Sequence, residues 1–143
     1  MPLSPAPPPP AAPVAVGLAS EIVEAYNSQR SKTGLAPLAP DGMLTAVAQA
    51  RAQDMAARGY FGHTSPTGET VFSMLAARGY VGAAAENLAR NSESGSASIS
   101  MAMSGWLSSA GHAGNIVNAS FGRIGVAVSS AGGMTTFVVV LAT

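Results

Sequence analysis

The chain has 143 residues, of which 48% are hydrophobic and only 10% charged, with seven Lys+Arg against seven Asp+Glu and no cysteine. A neutral, charge-poor chain lacks the basic footprint of a nucleic-acid binder or of a protein held on an anionic membrane. The missing cysteines exclude disulfides and thiolate zinc sites, the length fits one domain, and no apolar run reaches the roughly 18 residues of a membrane-spanning helix.

Seven of the ten prolines fall within the first 13 residues. Proline lacks the amide donor and fixes φ, so residues 1–17 are expected to form an extended tether and residues 18–143 the folded domain. The opening "MPLSPAPPPP" has neither the basic residues nor the apolar core of a signal peptide. From near Gly17, helical spacing puts Leu18, Ile22, Ala25 and Tyr26 on one face, with Gly34 as the stop. "LAPLAP" connects to a second helix capped by Asp41, with Leu44, Val47, Ala48, Arg51 and Met55 in register and Gly59 at its end.

A loop, "GYFGHTSPTGET", precedes a short third helix that Thr70 can cap and that is expected to bury Phe72 and Leu75 before Gly79. "AENLARN" reads as a short extended segment or turn, in which Asn87 could cap a turn. A fourth helix over 94–109 carries a stripe of Ile99, Met103, Trp106 and Leu107. After "SSAGHAGNIVNASFG", Ile124, Val126 and Val128 alternate with small or polar residues as a half-buried strand. "AGG" turns the chain into "MTTFVVVLAT", apolar enough for a central strand. Helices come first and an antiparallel hairpin last, which is α+β; a helix–sheet–helix sandwich would bury both faces of the final strand.

Groups able to do chemistry outside helix surfaces are few: His63, Glu69, Glu86, His112 and nearby hydroxyls. Glu86 has no charged neighbour in sequence and lies in apolar surroundings, so a tertiary partner or a raised pKa is expected. Glu69 fits the positive end of the third helix. Ser65, Ser108 and Ser109 lie near the histidines, but no G-x-S-x-G turn or oxyanion-hole signature accompanies them. Two histidines and a glutamate could instead bind a metal, and their spacing alone does not decide between these uses.

In order, "GYFGHTSPTGET", "AENLA", "WLSSAGHAGNI" and "RIGVAV" resemble the CAP or SCP domain family, which includes cysteine-rich secretory proteins, antigen 5 and pathogenesis-related 1 proteins. The likeness runs from about Leu18 to Thr143 and is greatest to the short, cysteine-free bacterial branch. It implies a three-layer α-β-α sandwich with a small, mainly antiparallel central sheet, and a cleft of two histidines and two acids. By motif these are His63, Glu86 and His112, with Ser109 standing where the second acid falls. The incomplete tetrad weakens the zinc or magnesium binding that the family implies. No cofactor is expected to be required, and a divalent cation such as zinc would be held weakly by His63, Glu86 and His112. The resemblance implies a secreted, periplasmic or cell-surface protein but no single activity; the leading expectation is a module that binds a small ligand, lipid, cell-wall component or protein in this cleft. The alternatives are a peptidase or esterase working in the same cleft, metal-assisted or not, and a tethered structural domain.

Overall fold

A computed structural model describes residues 13–143; the expected tether falls largely on residues 1–12, outside the described residues. In chain order the elements are α1 (Pro13–Lys32), β1 (Ala39–Pro40), α2 (Gly42–Arg58), α3 (Val71–Ala77), β2 (Ala84–Asn91), α4 (Gly95–Leu107), α5 (Ala110–Ile116), β3 (Arg123–Ala131) and β4 (Met134–Ala142). Helix α1 starts four residues before the expected Gly17. Proline suits a first helical position, where its missing N–H would have no partner anyway.

The caps lie where the sequence puts them. Asp41 accepts from the Leu44 amide, and Gly59 closes α2 in the left-handed region at φ 66° with its N–H on the Met55 carbonyl. Thr70 and Ser73 form a reciprocal capping box on α3. Gly132 and Gly133, at φ 58° and 76°, make the two-residue turn between β3 and β4, where positive φ at both positions matches the strand twist.

The sheet order is β1-β3-β4-β2. The short β1 runs parallel to β3, and the other pairs are antiparallel, with Val126 opposite Val139 and Glu86 opposite Val140. Central β4 is buried on both faces. Phe137, Val139 and Leu141 join the core under α1, α4 and α5, while Val138, Val140 and Ala142 join the core under α2 and α3. This is the expected three-layer arrangement. Full burial of a Val, Leu or Phe side chain contributes about 1.5–3 kcal/mol over exposure. Helix α2 sits directly on β3: a Cβ at Gly125 would stand 2.2 Å from the Leu44 carbonyl carbon.

Three expectations change. Phe72 is 56% and Leu107 42% exposed. Helix α3 buries only Val71 and Leu75, one turn apart, and Phe72 lies about 100° round from Val71. Leu107 is similarly rotated from buried Trp106 at the end of α4. Strand β3 is buried on both faces from Ile124 to Ala127, because α2 covers the side carrying Gly125 and Ala127.

A groove of about 860 Å³ lies between α1 and α2, lined in part by Val16, Ala19, Val23, Gln49, Val126 and Val128. It opens on the β1/β3 side of the sheet, away from edge strand β2.

Candidate functional site

Strand β2 is the edge strand opposite β1, and its alternation sends neighbouring side chains into different layers. Glu86 faces α2. Its Oε2 accepts from Arg51 Nε at 2.9 Å and its Oε1 from Arg51 Nη2 at 3.1 Å. The same Oε1 lies 2.9 Å from His63 Nδ1. A carboxylate held by a guanidinium only accepts, so Nδ1 donates to it and Nε2 is the ring nitrogen that Glu86 does not engage. The Glu86 side chain is 2% exposed, whereas the His63 side chain is 59% exposed.

Arg51 is fully buried on α2 and also holds the loop that carries His63. It donates through Nη1 to the Tyr60 hydroxyl at 3.1 Å and through Nη2 to the Gly62 carbonyl at 2.6 Å. Burial alone would lower its pKa; the hydrogen bonds and charge of Glu86 outweigh that and hold it above its ordinary value. The Tyr60 hydroxyl in turn donates to Asp54, which pairs with Arg58. Burial, and then the bond to Asp54, push the Tyr60 phenol up.

Further along the loop, the buried Ser65 hydroxyl accepts from the Thr67 and Glu69 amides and donates to the Glu69 carboxylate. With the Thr67 hydroxyl, this brings the Glu69 pKa down to about 2. The carboxylate of Glu69, one residue before the N-cap of α3, thus fastens its own loop.

Asn87 faces the other layer. Its Nδ2 donates to the Tyr26 hydroxyl at 2.9 Å and to the His112 carbonyl at 3.3 Å, and its Oδ1 accepts from Asn115 at 3.0 Å. A fully buried strand residue, it caps no turn, contrary to expectation; it docks α5 on β2. Burial drives the Tyr26 phenol far above its usual range. Arg30, also buried, clamps the far end of α5 by donating to the carbonyls of Ile116, Asn118 and Phe121.

His63 and Glu86 therefore meet. His112, half-buried on α5, is placed beside β2 through its backbone, and its ring makes no hydrogen bond or ion pair among the described residues. Ser109 is half-buried at the N-cap of α5 and its side chain makes no capping bond. The Ser65 hydroxyl is committed to Glu69 and that of Ser108 to the Ser104 carbonyl, so no serine is paired with a histidine among the described residues. Among the same residues, no three His, Cys, Asp or Glu side chains stand close enough to hold a metal ion. As arranged, His63, Glu86 and His112 do not fit one, because Arg51 engages both oxygens of Glu86.

Sequence reasoning missed Arg51 and Asn87 as parts of this site. Arg51 had left a signal: a lone arginine in register with apolar helix positions needs a buried acceptor, and Glu86 was the carboxylate without a neighbour.

The profile of the CAP family, described as the cysteine-rich secretory protein family, matches residues 23–142. "Uncharacterized protein YkwD" of Bacillus subtilis (strain 168) is 37% identical over 117 residues, which are 81% of this chain and 44% of that protein. An extracellular protein containing a SCP domain from Bacillus anthracis superposes with a TM-score of 0.78 at 28% identity, over 94% of this chain and 44% of that one. An outer surface protein from Borrelia burgdorferi gives 0.71 at 25% identity over 90% of each chain. The chain thus spans under half the length of its Bacillus relatives. Profile match, shared fold and lack of cysteine together place the chain in the CAP family, on its cysteine-free bacterial branch.

Proposed function

We propose that this is an extracytoplasmic binding module whose cleft, formed by His63, Glu86 and His112, takes a small ligand, lipid, cell-wall component or protein. One observation carries the reading. His63 is anchored through Nδ1 to a buried carboxylate while most of its ring faces solvent. Anchoring removes rotamer freedom that binding would otherwise cost, and Nε2 is presented to whatever enters. The order of the family motifs supports counting His112 in the same cleft. An extracellular relative and an outer-surface relative support the location.

A hydrolase is the second reading, because a carboxylate that orients imidazole Nδ1 also suits a general base. The commitment of Ser65 and Ser108 to other partners favours binding.

The test follows the ring signals of both histidines by NMR while peptidoglycan fragments, acyl lipids and peptides are titrated. A saturable shift of both rings, lost in His63→Ala, is expected. A panel that moves neither ring, or a ligand held equally by His63→Ala, would remove the reading. Turnover of peptide or ester substrates would favour the hydrolase, and repeating it with a chelator would show whether metal takes part.

A further inference from the structure

Building on this cleft as the functional site, we infer that Arg51 is its resident cation, holding both oxygens of Glu86 so that Glu86 orients His63 instead of ligating a metal. Glu86 Oε2 receives Arg51 Nε, and Oε1 receives both Arg51 Nη2 and His63 Nδ1. The two side chains of the ion pair are 1% and 2% exposed, so water does not compete for the carboxylate.

A guanidinium cannot release its proton in a protein, and its planar fork matches a carboxylate in two parallel bonds. A zinc ion needs the same oxygens at about 2.0–2.2 Å. To reach them it would displace Arg51 and leave a buried charge unpaired, the costly way to break such a pair. The remaining acid position cannot compensate, because it is Ser109. Nor is the imidazole free on the carboxylate side: its Nδ1 is spent on Glu86, which leaves Nε2 alone for a ligand. Arg51 also fixes the loop through Tyr60 and Gly62, so one residue sets both the charge of the cleft and the position of His63. It is a positioning residue.

The experiment measures zinc affinity by calorimetry on the full chain, with the tautomer of His63 read from its ring nitrogen shifts. Wild type and Glu86→Gln are expected to bind zinc within twofold of each other, because Glu86 is not a ligand. Arg51→Gln loses the charge, and its amide ends at about the position of Nε, beside Glu86 and short of the Gly62 carbonyl. It is expected to bind zinc at least tenfold tighter, a gain that Glu86→Gln in the same chain abolishes. Arg51→Lys, retaining a cation, is expected to stay at the wild-type affinity, and wild-type His63 to carry its proton on Nδ1. A tenfold or greater loss of zinc affinity in Glu86→Gln alone would overturn the inference, as would the other tautomer in wild type. If Arg51→Gln does not fold, the comparison of wild type with Glu86→Gln still decides. Failure of the ligand panel would remove the binding reading and leave these zinc results standing.

Discussion

Trp106→Ala tests how the core supports the edge strand. The side chain is 2% exposed and makes edge-on contacts with Tyr26 at 5.5 Å and Phe137 at 6.4 Å between ring centroids. Its Nε1–H donates to the Leu88 carbonyl at 2.9 Å, on the strand that also carries Glu86. Truncation removes the transfer free energy of the indole and leaves a cavity between α4 and the sheet. Such changes cost about 3–5 kcal/mol. Aromatic pairs add about 0.5–1.5 kcal/mol beyond area, and a buried carbonyl left unpaired costs about 1–3 kcal/mol, so the upper half of that range is expected. Trp106→Phe separates the parts: it keeps a ring against Tyr26 and Phe137 but loses the bond to Leu88, and about 1–3 kcal/mol is expected. Urea unfolding followed by far-UV circular dichroism gives both values. A loss below about 1 kcal/mol for Trp106→Ala would refute the placement of this residue as a core anchor.

Phe72→Ala is expected to change stability by no more than about 0.5 kcal/mol in the same urea assay, since the ring is mostly exposed; a loss above about 2 kcal/mol would mean that α3 packs differently. Gly125→Ala forces a methyl to 2.2 Å from the α2 backbone, so about 1–3 kcal/mol or more should be lost, and thermal melts showing no change would contradict the close contact of α2 with β3. Glu69, with its pKa brought down to about 2 from an ordinary 4.5, contributes stability that is fully present above about 4.5 and disappears as pH falls through about 2. The stability gap between wild type and Glu69→Gln should therefore be flat above about pH 5 and shrink between about 4.5 and 2. Because the carboxylate is half exposed, the gap should also narrow with salt, and a gap that widened on acidification would reverse the assignment.

Local signals determined much of this protein. Asp41, Gly59 and Thr70 mark helix ends through bonds made within three or four residues, and those bonds form in the fold as the sequence implies. The unbroken apolar run of β4 announced a strand covered on both sides, and two glycines in a row announced its hairpin. The ordered motifs single out His63, Glu86, Ser109 and His112 as candidates, and of these His63 and Glu86 are hydrogen-bonded in the fold. What lay beyond the sequence was which groups meet across the layers. Arg51 and Glu86 are 35 residues apart, and their pairing exists only because α2 packs on β3 and β4 in the layer that Glu86 faces, within reach of the Arg51 side chain. Asn87 found its partners on α1 and α5 for the same reason, one residue along and on the opposite face. Phe72 and Leu107 are apolar at plausible helical positions, yet they lie on arcs that no second layer covers. Periodicity tells which residues share a face of one element; only the packing of whole elements decides whether that face is buried and which buried charge finds its counter-ion.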